Sequence, residues 1–356
     1  MEHFNFNTIS MVEIDVTSYC NSFCGRCARN DRGGKTIDGL PLVHLPISAW
    51  ESLIQPHNLI NIEEIIFNGS FGDFSMHPNI IYMLEKLLEV KPGIFINAHT
   101  NGGARSPQFW AELSTTLQKF HKHIVTFGID GLEDTHNIYR RGTHWKKIIE
   151  NASAFIDAGG YAVWKCIVFD HNIDQLNEME QVAKSMGFAT YQTNRNTTIP
   201  MHLPAYKSFP EITITSPNKD EFVEKYRYVN QFKKITYTNK TNAVKSTGTY
   251  NCPYAKQGLI MIDMEGNVWP CCYIHGNRFD GPSKFNYKKG VNIANSSLEK
   301  IMNSSIFTEI LPDAWKNNTI KECNNCAGIT NPTPLYYAPE KKEKFKQNPT
   351  AKVTNE

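Results

Sequence analysis

The sequence predicts an α/β fold, a partial (β/α)6 barrel of the TIM type followed by a small α+β domain rich in cysteine. Three observations predict it. Strand and helix signals alternate six times through the first two hundred residues, the order that builds a parallel sheet with helices outside. The strands are apolar on one face only, whereas a strand covered on both faces by helices reads apolar throughout. Finally, eight of the nine cysteines fall into two groups, one directly after the first strand and one in the last third of the chain.

Residues 11–17 (MVEIDVT) form the first strand. Val12, Ile14 and Val16 share one face, and Glu13, Asp15 and Thr17 share the other. Further strands are read at 63–68, 94–100, 124–130, 161–169 and 189–194. Helices are read at 47–57, which meets Pro56; at 79–90, with a clear helical apolar period; and at 106–120, where Ser106 and then Pro107 open the first turn. Two more follow at 145–160, closed by a glycine pair, and at 173–188, closed by Gly187. In the third strand Asn97, His99 and Asn101 oppose Ile96, Ala98 and Thr100, and in the fourth Thr126, Gly128 and Asp130 oppose Val125, Phe127 and Ile129. In the fifth, Lys165 takes the polar parity, while Cys166 shares the apolar one with Trp164 and Val168 and is expected to pack under the helices. A polar face turned away from the helices must line an interior that holds water, cofactor or substrate. A closed eight-stranded barrel fills its interior with apolar side chains, so six strands around a wet lumen fit better, with the active site at the C-terminal strand ends.

The 356 residues favour two domains, or one barrel with an extension. Residues 1–10 read as an N-terminal extension and 11–200 as the barrel. Residues 201–248 read as a proline-rich, irregular bridge with one polar helix at 220–234, 249–335 as the second domain, and 336–356 as a charged tail expected to be disordered. A net charge of +2 carries no electrostatic signature of nucleic-acid binding. No apolar run is long enough to span a membrane, and the N-terminus lacks the basic and apolar regions of a signal peptide. A cytoplasmic location is therefore expected. Nine cysteines in a reducing interior bind metal rather than pair as disulfides.

Cys20, Cys24 and Cys27 stand at spacing C-x3-C-x2-C just past the first strand. Thiolates are soft ligands that select zinc or iron–sulfur clusters. Structural zinc normally takes four protein ligands; three ligands with no near fourth leave one metal position open to a substrate or cofactor. In the last third, residues 258–272 (GLIMIDMEGNVWPCC) read as a hairpin turning at Glu265-Gly266-Asn267, and 297–311 as an amphipathic helix. Cys252, Cys271, Cys323 and Cys326 could make a closed tetrahedral set for zinc or iron–sulfur alike, and Cys272 could replace Cys271.

C-x3-C-x2-C after a first strand resembles the radical S-adenosylmethionine (SAM) superfamily, with Arg26 where that family usually has an aromatic residue or His. The resemblance implies a [4Fe–4S] cluster with three irons held by Cys20, Cys24 and Cys27 and a fourth that chelates SAM. The order Cys252, hairpin, Gly266-x4-Cys271, helix, Cys323-x2-Cys326 resembles the auxiliary-cluster domain of SPASM/twitch proteins. The further cysteines of the full pattern are missing, so the truncated twitch form with one auxiliary [4Fe–4S] cluster matches better, and its G-x4-C spacing favours Cys271 as ligand. After the second strand, Asn68-Gly69-Ser70-Phe71-Gly72-Asp73 resembles the glycine turn that binds the SAM amino group, with Asp73 as its anionic element. HTNGG (99–103) and IDGLEDTHNIYRRG (129–142) resemble SPASM-type sequences at the mouth of the site. Asn101 and Asp130 are implied contacts to ribose or substrate, and Arg140 or Arg141 pairs with the SAM carboxylate. Lys165 is a candidate for SAM or a substrate carboxylate, and His99 reads equally as a structural histidine.

The implied activity is reductive cleavage of SAM to a 5′-deoxyadenosyl radical that takes a hydrogen atom from the substrate. Peptide oxidation of the kind that matures ribosomally made peptides is the leading expectation, with the auxiliary cluster as electron relay and a flavodoxin or ferredoxin as donor. Two alternatives stay open: the same chemistry on an aminosugar or nucleoside, and a non-catalytic adaptor with two zinc sites.

Overall fold

Each barrel strand carries apolar residues on one parity, and that parity faces the helices. The strands are β1 (Met11–Ile14), β2 (Glu64–Phe67), β3 (Phe95–Thr100), β4 (Lys122–Gly128), β5 (Ala162–Val168), β6 (Thr190–Arg195), β7 (Met201–Leu203), β8 (Ile212–Ile214), β9 (Leu259–Ile262) and β10 (Val268–Trp269). The computed structural model describes residues 4–195, 200–217, 252–276, 291–317 and 319–324. One eight-stranded sheet runs β10-β9-β1-β2-β3-β4-β5-β6, parallel throughout except for the β10–β9 pair. All six expected barrel strands are present in the expected order, forming a partial barrel.

The helices close the outer face. Ser106 caps helix Pro107–Leu117 by accepting the Phe109 N–H, and Pro107 takes the first position, where its missing N–H costs nothing. That helix delivers Trp110 against Phe127 of β4, with ring centroids 5.2 Å apart, and against Phe155 of helix Trp145–Asp157 at 6.4 Å. The helix expected at 47–57 is split into Ile47–Leu53 and Pro56–Leu59, because proline cannot continue a helix but starts one well. The helix expected at 297–311 likewise divides into Leu298–Met302, a π-helical turn Ile306–Ile310, and Leu311–Lys316.

The opposite parity is buried yet polar. Glu13, Asp15, Asn97 and Asp130 are all almost wholly enclosed, and each meets a polar partner: Asn97 Nδ2, for one, donates to Glu64 Oε1 at 2.9 Å. A polar lumen therefore exists as the strand parity requires.

Two features differ from the sequence reading. The cysteine-rich hairpin does not stand apart: β9 adds to the barrel beside β1, with Met11 opposite Leu259. Its four apolar residues, all buried, read as a strand covered on both faces, and an open barrel offers β1 a free edge. The expected irregular bridge begins instead as an antiparallel hairpin, β7 with β8, pairing Met201 with Ile214. The rest of that bridge from residue 218, its helix at 220–234, Cys326 and the tail lie outside the described residues. No helix among the described residues is long and apolar enough to cross a membrane.

Candidate active site

The cysteine loop leaves the C-terminal end of β1, and the Cys27 N–H donates to the Cys24 carbonyl at 3.2 Å to turn it. All three thiols are half-buried. Ser22 serves two of them, with its N–H 3.4 Å from Cys20 Sγ and its hydroxyl 3.0 Å from Cys24 Sγ. Asn101 Nδ2 donates to Cys20 Sγ at 3.6 Å, and Cys27 Sγ lies 3.8 Å from the Ser70 carbonyl oxygen. Burial pushes the Cys20 thiol up, helped by the Asp73 carboxylate and by Cys24 and Cys27. Burial and then Cys24 push Cys27 up to about 12. Thiols that oppose one another's ionisation face one centre, and loading that centre with metal must release their protons.

The donor set distinguishes the possible centres. A zinc ion with Zn–S bonds of about 2.3 Å gathers its sulfurs to roughly 3.8 Å from one another. Among the described residues no three Cys, His, Asp or Glu side chains gather closely enough to hold one ion. A [4Fe–4S] cluster binds each cysteine to a different iron, so it suits three soft donors that converge more loosely, and hydrogen bonds to the sulfurs are a usual part of its setting.

The glycine turn after β2 presses against this loop. A Cβ on Gly69 would stand 1.9 Å from the Gly72 carbonyl oxygen, and one on Gly72 would stand 2.0 Å from that of Thr17. The Ser70 N–H donates to Asp15 Oδ1 at 3.0 Å, and Asn68 Nδ2 donates to Glu13 Oε1 at 2.8 Å. Both glycines thus serve close packing of backbone on backbone. Asp73 is buried, and both its oxygens are engaged. They accept from the Ser75 N–H and hydroxyl at 3.1 and 2.6 Å, from the Thr100 hydroxyl at 3.0 Å, and from the Asn101 N–H at 2.7 Å. In this arrangement the chain's own donors engage Asp73. Asp73 ties the glycine turn to the end of β3 and sets Asn101, whose amide then holds Asn21 Oδ1 (2.9 Å) and Cys20.

Across the lumen stand the cations. Asp130 is fully buried; Arg140 Nε donates to its Oδ2 at 2.6 Å and the Ile167 N–H to its Oδ1 at 2.6 Å. Burial works against the Arg140 charge, but the Asp130 carboxylate and then Cys24 outweigh it and raise its pKa. The guanidinium lies over Gly128, where a Cβ would meet its Nη2 at 2.5 Å. Asp130 thus holds Arg140 in place. Lys165 pairs in register with Gly128. Burial, then Arg140, lowers its pKa, and its ammonium makes no hydrogen bond or ion pair among the described residues. Cys166 packs in the apolar core as expected, and burial, then Lys165, lowers the pKa of His99 to about 3, which keeps its ring neutral. Arg141 is placed apart from Arg140: its guanidinium is buried and donates to the carbonyls of Pro204 (2.7 Å), Pro210 (2.8 Å) and Gly33 (3.4 Å), so it staples loops.

The second cysteine set divides between two faces. Cys252 opens helix Pro253–Gln257, Cys271 follows β10, and Cys323 lies on helix Lys321–Asn324. Burial raises the Cys271 thiol, as do Cys252, Cys272 and Cys323 nearby. Cys272 turns toward the lumen: its Sγ is 2.9 Å from the Tyr254 hydroxyl, which is 2.9 Å from Glu13 Oε2. Burial, then Glu13, pushes Cys272 up to about 12. Cys271 thus lies near Cys252, Cys272 and Cys323, and Cys272 also reaches the Glu13 side through Tyr254. The sequence reading named neither Glu13, Asp15, Ser22 nor Tyr254 as site residues. The parity of β1 already pointed Glu13 and Asp15 inward, whereas Ser22 and Tyr254 carried no signal.

Comparison with known proteins agrees with this geometry. Residues 14–184 match the family model of the radical SAM superfamily, and residues 252–327 match that of the SPASM iron–sulfur cluster-binding domain. No curated protein matches the chain significantly. Among solved structures, SuiB of Streptococcus suis bound to S-adenosylmethionine is similar with a TM-score of 0.57 at 14% identity, over 90% of this chain and 73% of that one. The enzyme anSMEcpe with bound AdoMet is similar with a TM-score of 0.55 at 17% identity, over 90% of this chain and 84% of that one. Two family models in the expected order, on a partial barrel whose three thiols converge at the mouth of a polar lumen, establish that this chain is an enzyme of the radical SAM superfamily with a C-terminal SPASM domain, and so one that uses iron–sulfur clusters and S-adenosylmethionine.

Proposed function

We propose that the chain oxidatively modifies a peptide, with the SAM-binding cluster on Cys20, Cys24 and Cys27 and an auxiliary cluster on Cys252, Cys271, Cys323 and Cys326. When bound, the first cluster and SAM supply a 5′-deoxyadenosyl radical able to take a hydrogen atom from an unactivated C–H bond. The chain's own residues orient and enclose. Asp73 fixes Asn101 against Cys20, and Asp130 fixes Arg140 with its terminal nitrogens over Gly128. Arg140 and Lys165 form the cationic wall for a carboxylate, that of SAM or of substrate. Opposite, Glu13 joins the lumen through Tyr254 to Cys272, beside Cys271.

The observation that carries the reading is this two-sided lumen: one set of thiols opens into it, and the second lies just beyond its Glu13 wall. A fully cysteine-ligated cluster has no open iron for substrate, so its use is to accept an electron from the substrate, which makes the net reaction an oxidation. SuiB has been solved bound to its precursor peptide SuiA, and anSMEcpe bound to a peptide, and the same partial barrel here supports a peptide substrate. The test is anaerobic reconstitution followed by incubation with SAM, dithionite and candidate precursor peptides encoded nearby. A peptide product lighter by an even number of hydrogens supports the reading; turnover only with an aminosugar or nucleoside refutes the peptide assignment.

A further inference from the structure

The hairpin β7–β8 lies where the sequence offers only a proline-rich bridge, and it packs on the cysteine loop itself. Gly25, between Cys24 and Cys27, is buried. A Cβ there would meet Leu203 Cδ2 at 2.5 Å and Met201 Sδ at 2.8 Å. Met201, Leu203 and Ile214 form one buried apolar cluster with Tyr139 and Phe169, and Cys24 packs against it. The hairpin alternates cleanly, with His202 exposed between buried Met201 and Leu203, and Thr213 exposed beside buried Ile214. Three ties hold it down. Arg141 donates to the carbonyls of Pro204 and Pro210 at either side of the turn. Phe23 meets Tyr206 edge-on at 5.2 Å, and the Lys207 ammonium lies 4.2 Å over the Phe23 ring.

We propose that β7–β8 is an apolar cover for the Cys24 corner of the SAM-binding cluster, with Met201 and Leu203 as positioning residues that exclude water and dioxygen. This rests on the reading that Cys20, Cys24 and Cys27 hold that cluster. Reduction adds a negative charge to the cluster, and a charge beside apolar side chains is worse solvated than one beside water. Solvent exposure is one of the settings that fix such a cluster's potential. The cover therefore keeps the potential low and the reduced state a strong donor, and it slows oxidative loss of iron. Gly25 is glycine because the cover sits directly on it.

The test uses the reconstituted full chain with Met201→Ala and Leu203→Ala, alone and together, and Thr213→Ala on the exposed face as control. Two readouts are followed: the rate of bleaching in air, and the potential of the EPR signal that changes when SAM is added, which singles out this cluster. The double variant should bleach several-fold faster, and its ratio of reduced to oxidised cluster at fixed poise should rise about tenfold, equivalent to about 59 mV for one electron; the control should match wild type. Arg141→Met, which frees the hairpin without altering its apolar face, should shift both readouts the same way. Variants with wild-type circular dichroism, full iron and unchanged potential and bleaching overturn the cover. A wild-type chain with no SAM-sensitive signal overturns the parent reading itself.

Discussion

Replacing Asp130 by Ala should remove the anchor of the cationic wall. The carboxylate is fully buried and its partner Arg140 is 18% exposed at the side chain. Two donors lose their acceptor, Arg140 Nε and the Ile167 N–H, each 2.6 Å from it. Leaving one member of a buried ion pair alone costs about 3–5 kcal/mol, and an orphaned buried N–H about 1–3 kcal/mol. These overlap in one cavity, so the sum is an upper bound and about 4 kcal/mol is the working figure. For a domain of this size that is a fall in melting temperature on the order of 10 °C. Asp130→Asn keeps an oxygen for Ile167 and should lose about half as much. The decisive arm is Asp130→Asn with Arg140→Met, which removes both charges and should recover most of the loss. Melting curves of the apo-protein by circular dichroism provide the cycle. A single Asp130→Ala variant within about 2 °C of wild type, or a double variant no better than the worse single, would mean that the Asp130–Arg140 pair does not anchor this wall.

Gly72→Ala puts a methyl group 2.0 Å from the Thr17 carbonyl oxygen, so the turn must shift off β1; iron content after reconstitution should fall by more than half while far-UV dichroism persists. Asp73→Asn offers its amide where the Thr100 and Ser75 hydroxyls and two N–H groups need acceptors; SAM affinity should weaken about tenfold or more, consistent with loss of about 1–3 kcal/mol of hydrogen bonding, read by equilibrium dialysis. Arg140→Met should weaken SAM or substrate binding with iron content unchanged. His136 gives a pH dependence: it accepts the Asp130 N–H at Nδ1 and reaches Thr143 with Nε2, and burial, then Arg140, lowers its pKa to about 3. Between that value and the unfolded value of about 6.5 the unfolded chain binds more protons, so stability is full above about pH 6.5 and is lost as pH falls. The apo-protein should melt lower at about pH 5 than at about pH 7, and a His136→Gln variant should show a flatter slope in the same melts.

Much of the site was legible because strand alternation is a strict rule. MVEIDV placed Glu13 and Asp15 inward, and YAVWKCIVF placed Lys165 inward and Cys166 among the helices. What could not be read depends on which polar groups find one another. Asp73 and Arg141 both looked like ligands for SAM because carboxylate and guanidinium bind its charged groups well. Each is held by chain donors or carbonyls contributed from distant segments, at separations from Asp73 to Asn101 and from Arg141 to Pro210 that no local pattern encodes. The hairpin β7–β8 was hidden for a related reason. Its strands are three residues long and flanked by prolines, so propensity reads loop, while burial against Gly25 and Cys24 supplies the order. Addition of β9 to the barrel is a tertiary choice made by an open edge of β1.

Two iron–sulfur centres should flank one lumen, the first acting with SAM. The most direct measurement is iron and 5′-deoxyadenosine in one anaerobic preparation. The wild-type chain should carry about eight irons and form 5′-deoxyadenosine from SAM and dithionite. The Cys20→Ala, Cys24→Ala, Cys27→Ala triple variant should keep about four irons and form none. A colourless wild-type protein with about two zinc ions, or an iron-loaded one that leaves SAM intact, would contradict the account.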